Sequence, residues 1–491
     1  MTQSINDHLT HCLKIDGAGN DHSTSLADTP PHLNAYLIHS DDDVRIYRRL
    51  SLNGDFDSLD FHISGKSNVD VDNFSPLTTG IQPDLLVLRI KDKQCYLITP
   101  ATRTQVMSFF TSDENDVINL ALHLSNPCEI HAGGGDDHIS SGASFAAIYG
   151  GPGDDDISIT QGRAYVHGEE GDDHIYSLNE GHVSFHGGPG DDTLAGSRGA
   201  AFSYLDGGTG DNTLIGGSGP NVIVGGPGND QIDAGESHNV IYTGDGYNQV
   251  EKLKPTDFTY HNVKSDLTVD CTKISPEELD KLPPGQLVSH DIHVEPRPFN
   301  PTAFKINGSA GFVDRAKDDF RLLLASPTGQ ALLSRLEDFA QASAKPYEIN
   351  ELAVGTNAGF IPLDPQKSLH AFIANGQAGT PSYGGSIWYS VLDVMGDSPS
   401  VIALFHELCH AYNYATGTLL PGTNEQTTLD HYPPVSQPVK NSELQAVGLP
   451  TNAAPFDFDG DPATPPTNTN PEVFSENGLR KELGLPLRTR Y

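Results

Sequence analysis

His406-Glu407-Leu408-Cys409-His410 places two imidazoles four residues apart in a run of good helix formers. Side chains at that spacing leave one face of a helix one turn apart, which suits two ligands of a tetrahedral zinc ion. Glu407 lies beside them and can reach a zinc-activated water without ligating the ion, the general-base role of the H-E-x-x-H arrangement. The chemistry expected is hydrolysis of a peptide bond. Zinc needs a third protein ligand, and the best candidate is Glu443 in Asn441-Ser442-Glu443-Leu444-Gln445-Ala446-Val447-Gly448, which opens a second helical stretch; Asp430 and His431 compete for that place.

A second set of chemical residues recurs along the chain. Gly150-Gly151-Pro152-Gly153-Asp154-Asp155-Asp156-Ile157 is repeated with small changes from Gly187, Gly207 and Gly225, close to the nonapeptide G-G-x-G-x-D-x-U-x. Glycine permits a turn at positive φ, aspartate and turn carbonyls offer hard oxygen ligands, and the apolar residue starts a short inward-facing strand. Asp137, Asp155 and Asp173 fall 18 residues apart, and Asp192, Asn212 and Asp230 continue at about that step, so one full coil holds two nonapeptides. The intervening half-turns keep the apolar residue and lose the carboxylate. One edge of the roll should therefore bind calcium, through Asp137, Asp155, Asp173, Asp192 and Asp230, and the other should be largely metal-free. Asparagine at Asn212, Asn221, Asn239 and Asn248 lowers the anionic ligand count of the later turns. The region resembles the RTX β-rolls of secreted bacterial toxins and proteases.

These two sites require a multidomain chain: an all-β parallel β-roll followed by an α+β, zincin-like metallopeptidase domain. Residues 1–32 are polar and read as a poorly ordered start or a secretion address. Residues 33–127 alternate short apolar runs with turns, the pattern of a β-rich cap. The roll occupies 128–250, a proline-rich linker 251–300, and the peptidase 301–491. Within the last, Phe320 to Phe339 repeats apolar residues at three- and four-residue steps, and Gly384 to Leu392 reads as an edge strand able to hold an extended substrate.

Composition narrows the partners. With 65 acidic against 29 basic residues and a formal charge of −36, the chain would be repelled by nucleic acid and by anionic membranes, and cations are its natural partners. No apolar run is long enough to span a bilayer, so no transmembrane segment is expected. Five dispersed cysteines indicate neither a disulfide framework nor a cysteine-rich zinc site.

The segment from His406 to Asn413, the surroundings of Glu443, and the ending from Ser475 to Tyr491 resemble the NleD-type zinc effector peptidases of pathogenic bacteria, with the gluzincin order of ligands. That resemblance covers about Pro301 to Tyr491 and implies delivery into a host cell and cleavage of host signalling proteins. The terminal Arg488-x-x-Tyr491 is similar to the Arg-x-x-Tyr pair with which clostridial neurotoxin proteases stabilise the oxyanion, a role the resemblance carries to Arg488 and Tyr491. Glu476 and Asn477, just before an amphipathic helix, could orient a ligand histidine, but helix capping is favoured for them.

The function expected is thus a secreted zinc endopeptidase acting on host proteins, with a calcium-binding roll as scaffold or targeting module. The alternative is a calcium-dependent extracellular adhesion protein with a degenerate zincin domain.

Overall fold

A computed structural model describes residues 13–18, 33–51, 57–74, 85–90, 94–261, 268–270, 290–295, 297–352, 358–391, 398–428, 435–461 and 463–491. The chain splits into two compact units, residues 1–259 with 264–291, and residues 260–263 with 292–491.

The first unit is the expected parallel roll. One sheet stacks Cys128–His131, Phe145–Tyr149, Arg163–His167, Val183–Pro189, Ser203–Thr209, Asn221–Val224 and Asn239–Tyr242 in order. The other stacks His138–Ala143, Asp156–Ile159, His174–Ser177, Thr193–Ala195, Thr213–Ile215, Gln231–Asp233 and Gln249–Glu251. Every pairing in both series is parallel. The apolar residue of each turn falls in register with the next: Ile139, Ile157, Ile175, Leu194, Leu214, Ile232 and Val250 form one buried column. Ile130, Ile148, Val166, Phe185, Leu205, Ile223 and Ile241 form the facing one. No single turn could bury its own apolar residue; stacking removes the whole column from water.

Three features of this unit depart from the sequence reading. The coil does not begin at Cys128, because Asp57–Ile63 and Asn68–Phe74 already pair in parallel with Val106–Phe110 and Val117–Leu124, which pair in turn with the strands that follow. Those strands keep the buried column in Leu59, Phe61, Val69, Val71, Met107, Phe109 and Ile118 without the glycine turns, so the stacking outlasts the recognisable repeat. Leu13–Asp16, inside the stretch expected to be poorly ordered, pairs in parallel with Gln94–Thr99 and buries Ile15. Cys95 is disulfide-bonded, while Cys128 and Cys409 are free and buried. Residues 1–12 and 19–32 and most of the linker, including Pro276, Pro283, Pro284 and Pro296, lie outside the described residues.

The second unit is α+β. Its sheet contains β1 (Phe304–Asn307), β2 (Tyr347–Glu351), β3 (Gly359–Pro362) and β4 (Gly385–Tyr389), in the order β1-β2-β4-β3. The first three of that order run parallel and β3 is antiparallel to β4. Gly384 to Leu392 was expected at the edge, but β4 is bonded on both sides, and the edge strands are β1 and β3. Period-two alternation marks a strand without saying whether both its neighbours exist. Helices α1 (Ala310–Ala325) and α2 (Pro327–Ser343) bury Phe320, Leu322, Leu323, Leu332, Leu333 and Leu336. They are followed by α3 (Ser400–Thr416), a hairpin of β5 (Thr423–Thr428) and β6 (Val435–Lys440), α4 (Asn441–Val447) and α5 (Glu476–Glu482). Among the described residues, no helix is long and apolar enough to cross a membrane.

Candidate metal centre and calcium ladder

Helix α3 is buried almost all round, with Val401, Ile402, Leu404, Phe405 and Leu408 removed from water, and it ends at Gly417, whose left-handed φ of 69° lets its N–H bond back to Asn413 and Tyr414. The spacing of His406 and His410 then does what helix geometry dictates. Their Nε2 atoms lie 3.1 Å apart. Glu443, in the first turn of α4, brings its Oε2 to 3.0 Å from the Nε2 of His410 and 3.6 Å from that of His406. Two ligands bonded to one tetrahedral zinc at about 2.0–2.1 Å stand roughly 3.3 Å from each other, so this donor set fits such an ion. Among the described residues, these three are the group of His, Cys, Asp or Glu side chains gathered closely enough to hold a metal. The competing ligands, Asp430 and His431, lie outside the described residues.

Glu407 faces the same centre with a buried Oε2 that has no hydrogen-bond partner. Burial pushes its carboxyl above the usual range, with the two histidines pulling the other way. Burial disfavours protonation of His406, but Glu443 and Glu476 outweigh it and raise that imidazole to about 10. Burial likewise works against ionised Glu443, and the two histidines overcome it and hold the carboxyl low. Cys409 is buried, and burial pushes its thiol up.

Glu476 is where the sequence reading needs correction. Ser475 caps α5, accepting from the Gly478 N–H, so the favoured capping role belongs to the neighbour. The Glu476 carboxylate instead sits 2.9 Å from Nδ1 of His406 and accepts from Arg480 at 2.6 Å and Arg488 at 3.1 Å. Asn477 exchanges two hydrogen bonds with the backbone of Arg488, donating from Nδ2 at 2.9 Å and accepting at Oδ1 at 2.8 Å. That clasp brings the terminal segment over the centre. The Arg488 guanidinium lies 4.9 Å from the Tyr491 ring centroid, and the Tyr491 hydroxyl is 3.1 Å from Oε2 of Glu443.

In the roll, Asp137, Asp155, Asp173, Asp192 and Asp230 lie on one edge, each nearly fully buried. The Oδ1 atoms form a ladder: Asp155 accepts from the backbone N–H of Asp137, Asp173 from Asp155, Asp192 from Asp173, and Asp230 from Asn212. In all five the second oxygen, Oδ2, is buried with no partner. A Cβ at Gly150, Gly168, Gly187 or Gly225 would lie between 1.9 and 2.5 Å from the Oδ2 of the aspartate that follows, so the first glycine of these four repeats keeps that oxygen's surroundings clear. Burial raises the five carboxyls to about 7 or 8. Five orphaned, desolvated carboxylate oxygens in line call for cations.

The four asparagines divide between the edges. Asn212 and Asn248 take ladder positions on the aspartate edge, whereas Asn221 and Asn239 stand on the opposite one. There Asn221 donates to Gly217, Gly219, Ala234 and Asn239, and Asn239 bonds Asp257. An amide is both donor and acceptor, so the polar groups of that edge bond one another. Of the roll histidines, His138 and His174 are exposed, whereas His186 is buried beside Ser184.

Residues 300–491 match the Peptidase_M91 family, described as an effector protein. Residues 177–202, 206–241 and 215–250 match the RTX calcium-binding nonapeptide repeat. This is the combination expected from the sequence: a calcium-binding repeat roll and a peptidase-family effector unit. The coils carrying Asp137, Asp155 and Asp173 precede the matched repeats and share their geometry. No curated protein matches the chain. No solved structure matches it either.

Proposed function

We propose that the chain is a secreted zinc-dependent endopeptidase that hydrolyses peptide bonds of host proteins, with its calcium-binding roll as a scaffold or targeting module. The observation that carries this reading is the convergence of His406 Nε2, His410 Nε2 and Glu443 Oε2 at separations of 3.1, 3.0 and 3.6 Å. A zinc ion held there would supply Lewis acidity, lowering the pKa of a water and polarising the scissile carbonyl.

The chain's own residues do the rest. Glu407, buried and with its Oε2 unpartnered, takes the proton of the attacking water and passes it to the leaving amine. Glu476 keeps the proton of His406 on Nδ1, leaving the Nε2 lone pair for the ion. Arg488 and Tyr491 donate to the oxygen that becomes negative in the tetrahedral transition state. Edge strand β3, whose Phe360 packs 5.3 Å from the Tyr414 ring one turn beyond His410, is available to an extended substrate. Calcium would neutralise the five desolvated aspartates of the roll, so the roll is most stable where calcium is plentiful, outside cells.

Cleavage of a diverse peptide library by wild type and Glu407→Ala, with zinc content read by native mass spectrometry, tests the reading. Cleavage lost in the variant with zinc retained is the expected result. Absence of zinc from both would overturn it in favour of the adhesion alternative.

A further inference from the structure

Helix α3 carries the metal-centre histidines, yet its N-terminus has no side-chain cap: the N-cap residue is Pro399, which makes no such bond. The first turn of a helix leaves backbone N–H groups unsatisfied and carries partial positive charge, and a capping side chain or an anion usually meets it. Here the anion comes from another helix. Ser400, the first residue of α3, places its hydroxyl 3.0 Å from both carboxylate oxygens of Asp319, which projects from α1.

Asp319 is fully buried and joins three elements. Its Oδ1 also accepts from Arg315 at 2.7 Å, and its Oδ2 accepts from the Tyr389 hydroxyl at 3.1 Å. Tyr389 is the last residue of β4, and Ser400 is the first of α3, so one carboxylate grips both ends of the connection between sheet and helix. The charge is balanced locally: buried Arg315 also bonds Asp318 at 2.9 Å, and Arg321 pairs with Asp318 at 2.5 Å. Taking such a group of ions out of water costs several kcal/mol per ion, and an apolar cluster of equal volume is often as stable. A buried ionic knot is worth keeping where a particular geometry matters more than stability.

We infer that Asp319 is a positioning residue for the proposed hydrolysis: through Ser400 and Tyr389 it sets the depth and rotation of α3 against the sheet, and with them the placement of His406 and Glu407. It rests on the peptidase reading for its consequence in turnover, and on the metal centre alone for its consequence in zinc binding. His406 and Glu407 lie within two turns of Ser400, so a rotation of the helix start moves both, and displacements of about 1 Å at reacting groups cost on the order of 100-fold in rate.

Asp319→Asn leaves Arg315 unbalanced and can fail to fold, so the test uses Ser400→Ala and Tyr389→Phe, which delete one hydroxyl each, in the full-length protein. Zinc affinity is measured by competition with a chromophoric chelator, turnover on a library-derived peptide, and stability by thermal melting. Phe304→Leu, a core truncation on β1 that leaves the Asp319 bonds intact, controls for stability loss. Each hydroxyl deletion is expected to lower kcat about tenfold with KM within about twofold, and to weaken zinc binding about fivefold, while Ser400→Thr restores both. Zinc affinity and kcat no lower than in Phe304→Leu would overturn the positioning role and leave the peptidase reading intact. Wild type that binds zinc without cleaving any peptide would sink the peptidase reading instead, and the zinc affinities would still decide the role of Asp319. Wild type that binds no zinc overturns both.

Discussion

Nδ1 of His406 and Oε2 of Glu476 lie 2.9 Å apart, and Glu476 is itself fixed by Arg480 and Arg488. A buried carboxylate so placed fixes the imidazole's tautomer, its plane and its basicity. Burial disfavours the charged carboxylate, but His406 and the two arginines overcome it and hold Glu476 at about 2, so it stays ionised across the working range.

Glu476→Gln keeps the hydrogen bond and removes the charge, and is expected to weaken zinc affinity and kcat about tenfold. Glu476→Ala, which frees the ring and leaves two arginines without their carboxylate, should lose about 100-fold. Competition with a chelator measures the first quantity and peptide turnover the second. Equal effects of the two substitutions would show that charge alone, and not orientation, is at stake.

Why capping was favoured over the orienting role of Glu476 is a matter of distance along the chain. His406 and His410 are legible because helical periodicity acts over four residues, and the aspartate ladder because its 18-residue step repeats. Glu476 is 70 residues from its partner, and a Ser-Glu pair before a helix carries the stronger local signal of a cap. The edge strand was misplaced for a similar reason: alternation in β4 reports a buried face, while membership of the sheet interior depends on β2 and β3. Asn221 and Asn212 occupy equivalent places in the half-turn pattern, and only the coil shows that they stand on opposite edges. Stacking before Cys128 left no motif because an apolar column needs no glycine, whereas an ion-binding turn does.

Asn212 stands in the aspartate ladder with both amide atoms partnered, its Oδ1 accepting from the Asp192 N–H at 2.9 Å and its Nδ2 donating to Gly210 at 3.1 Å. Asp155→Asn should reproduce that arrangement three rungs earlier, replacing an orphaned acceptor by a donor. In chelator the variant is expected to melt higher, because an unpaired buried acceptor costs about 1–3 kcal/mol, or several degrees at roughly 2–4 °C per kcal/mol. In calcium it should gain less than wild type. Asn221→Asp, which strips donors from the opposite edge, should melt lower with or without calcium. A calcium response undiminished in Asp155→Asn would remove Asp155 from the ligand set.

The ion-free roll should be an acid-stable structure. Its five ladder carboxyls stand at about 7 or 8 when folded, against 3.8 as the ordinary value, so the folded chain holds extra protons between those limits. Raised carboxyls contribute stability that is complete below the unfolded value and is lost as pH rises through the folded one. Melting in chelator is therefore expected to fall steadily from about pH 4 to pH 8, and saturating calcium to abolish most of that slope. A flat profile in chelator would mean that the ladder oxygens are not desolvated as described.

Arg488 and Tyr491 are held at the centre by different means, and their removal should separate two effects. Arg488 is clasped through its backbone by Asn477 and through its guanidinium by Glu476, so Arg488→Ala leaves the chain path in place and withdraws a charge. If that charge meets the developing oxyanion, kcat should fall about 100- to 1,000-fold with KM little changed, since the interaction exists only in the transition state. Tyr491→Phe withdraws a neutral donor whose hydroxyl also bonds Glu443, and should cost less, about tenfold to 100-fold. Burial and the nearby Glu443 carboxylate push the Tyr491 phenol well above its usual range, so it donates throughout the pH range in which Glu407 accepts. The two losses should combine to less than their product, because the Arg488 guanidinium packs on the Tyr491 ring and each holds the other. A rise in KM with kcat intact in Arg488→Ala would assign this residue to substrate binding, with the oxyanion left to Tyr491.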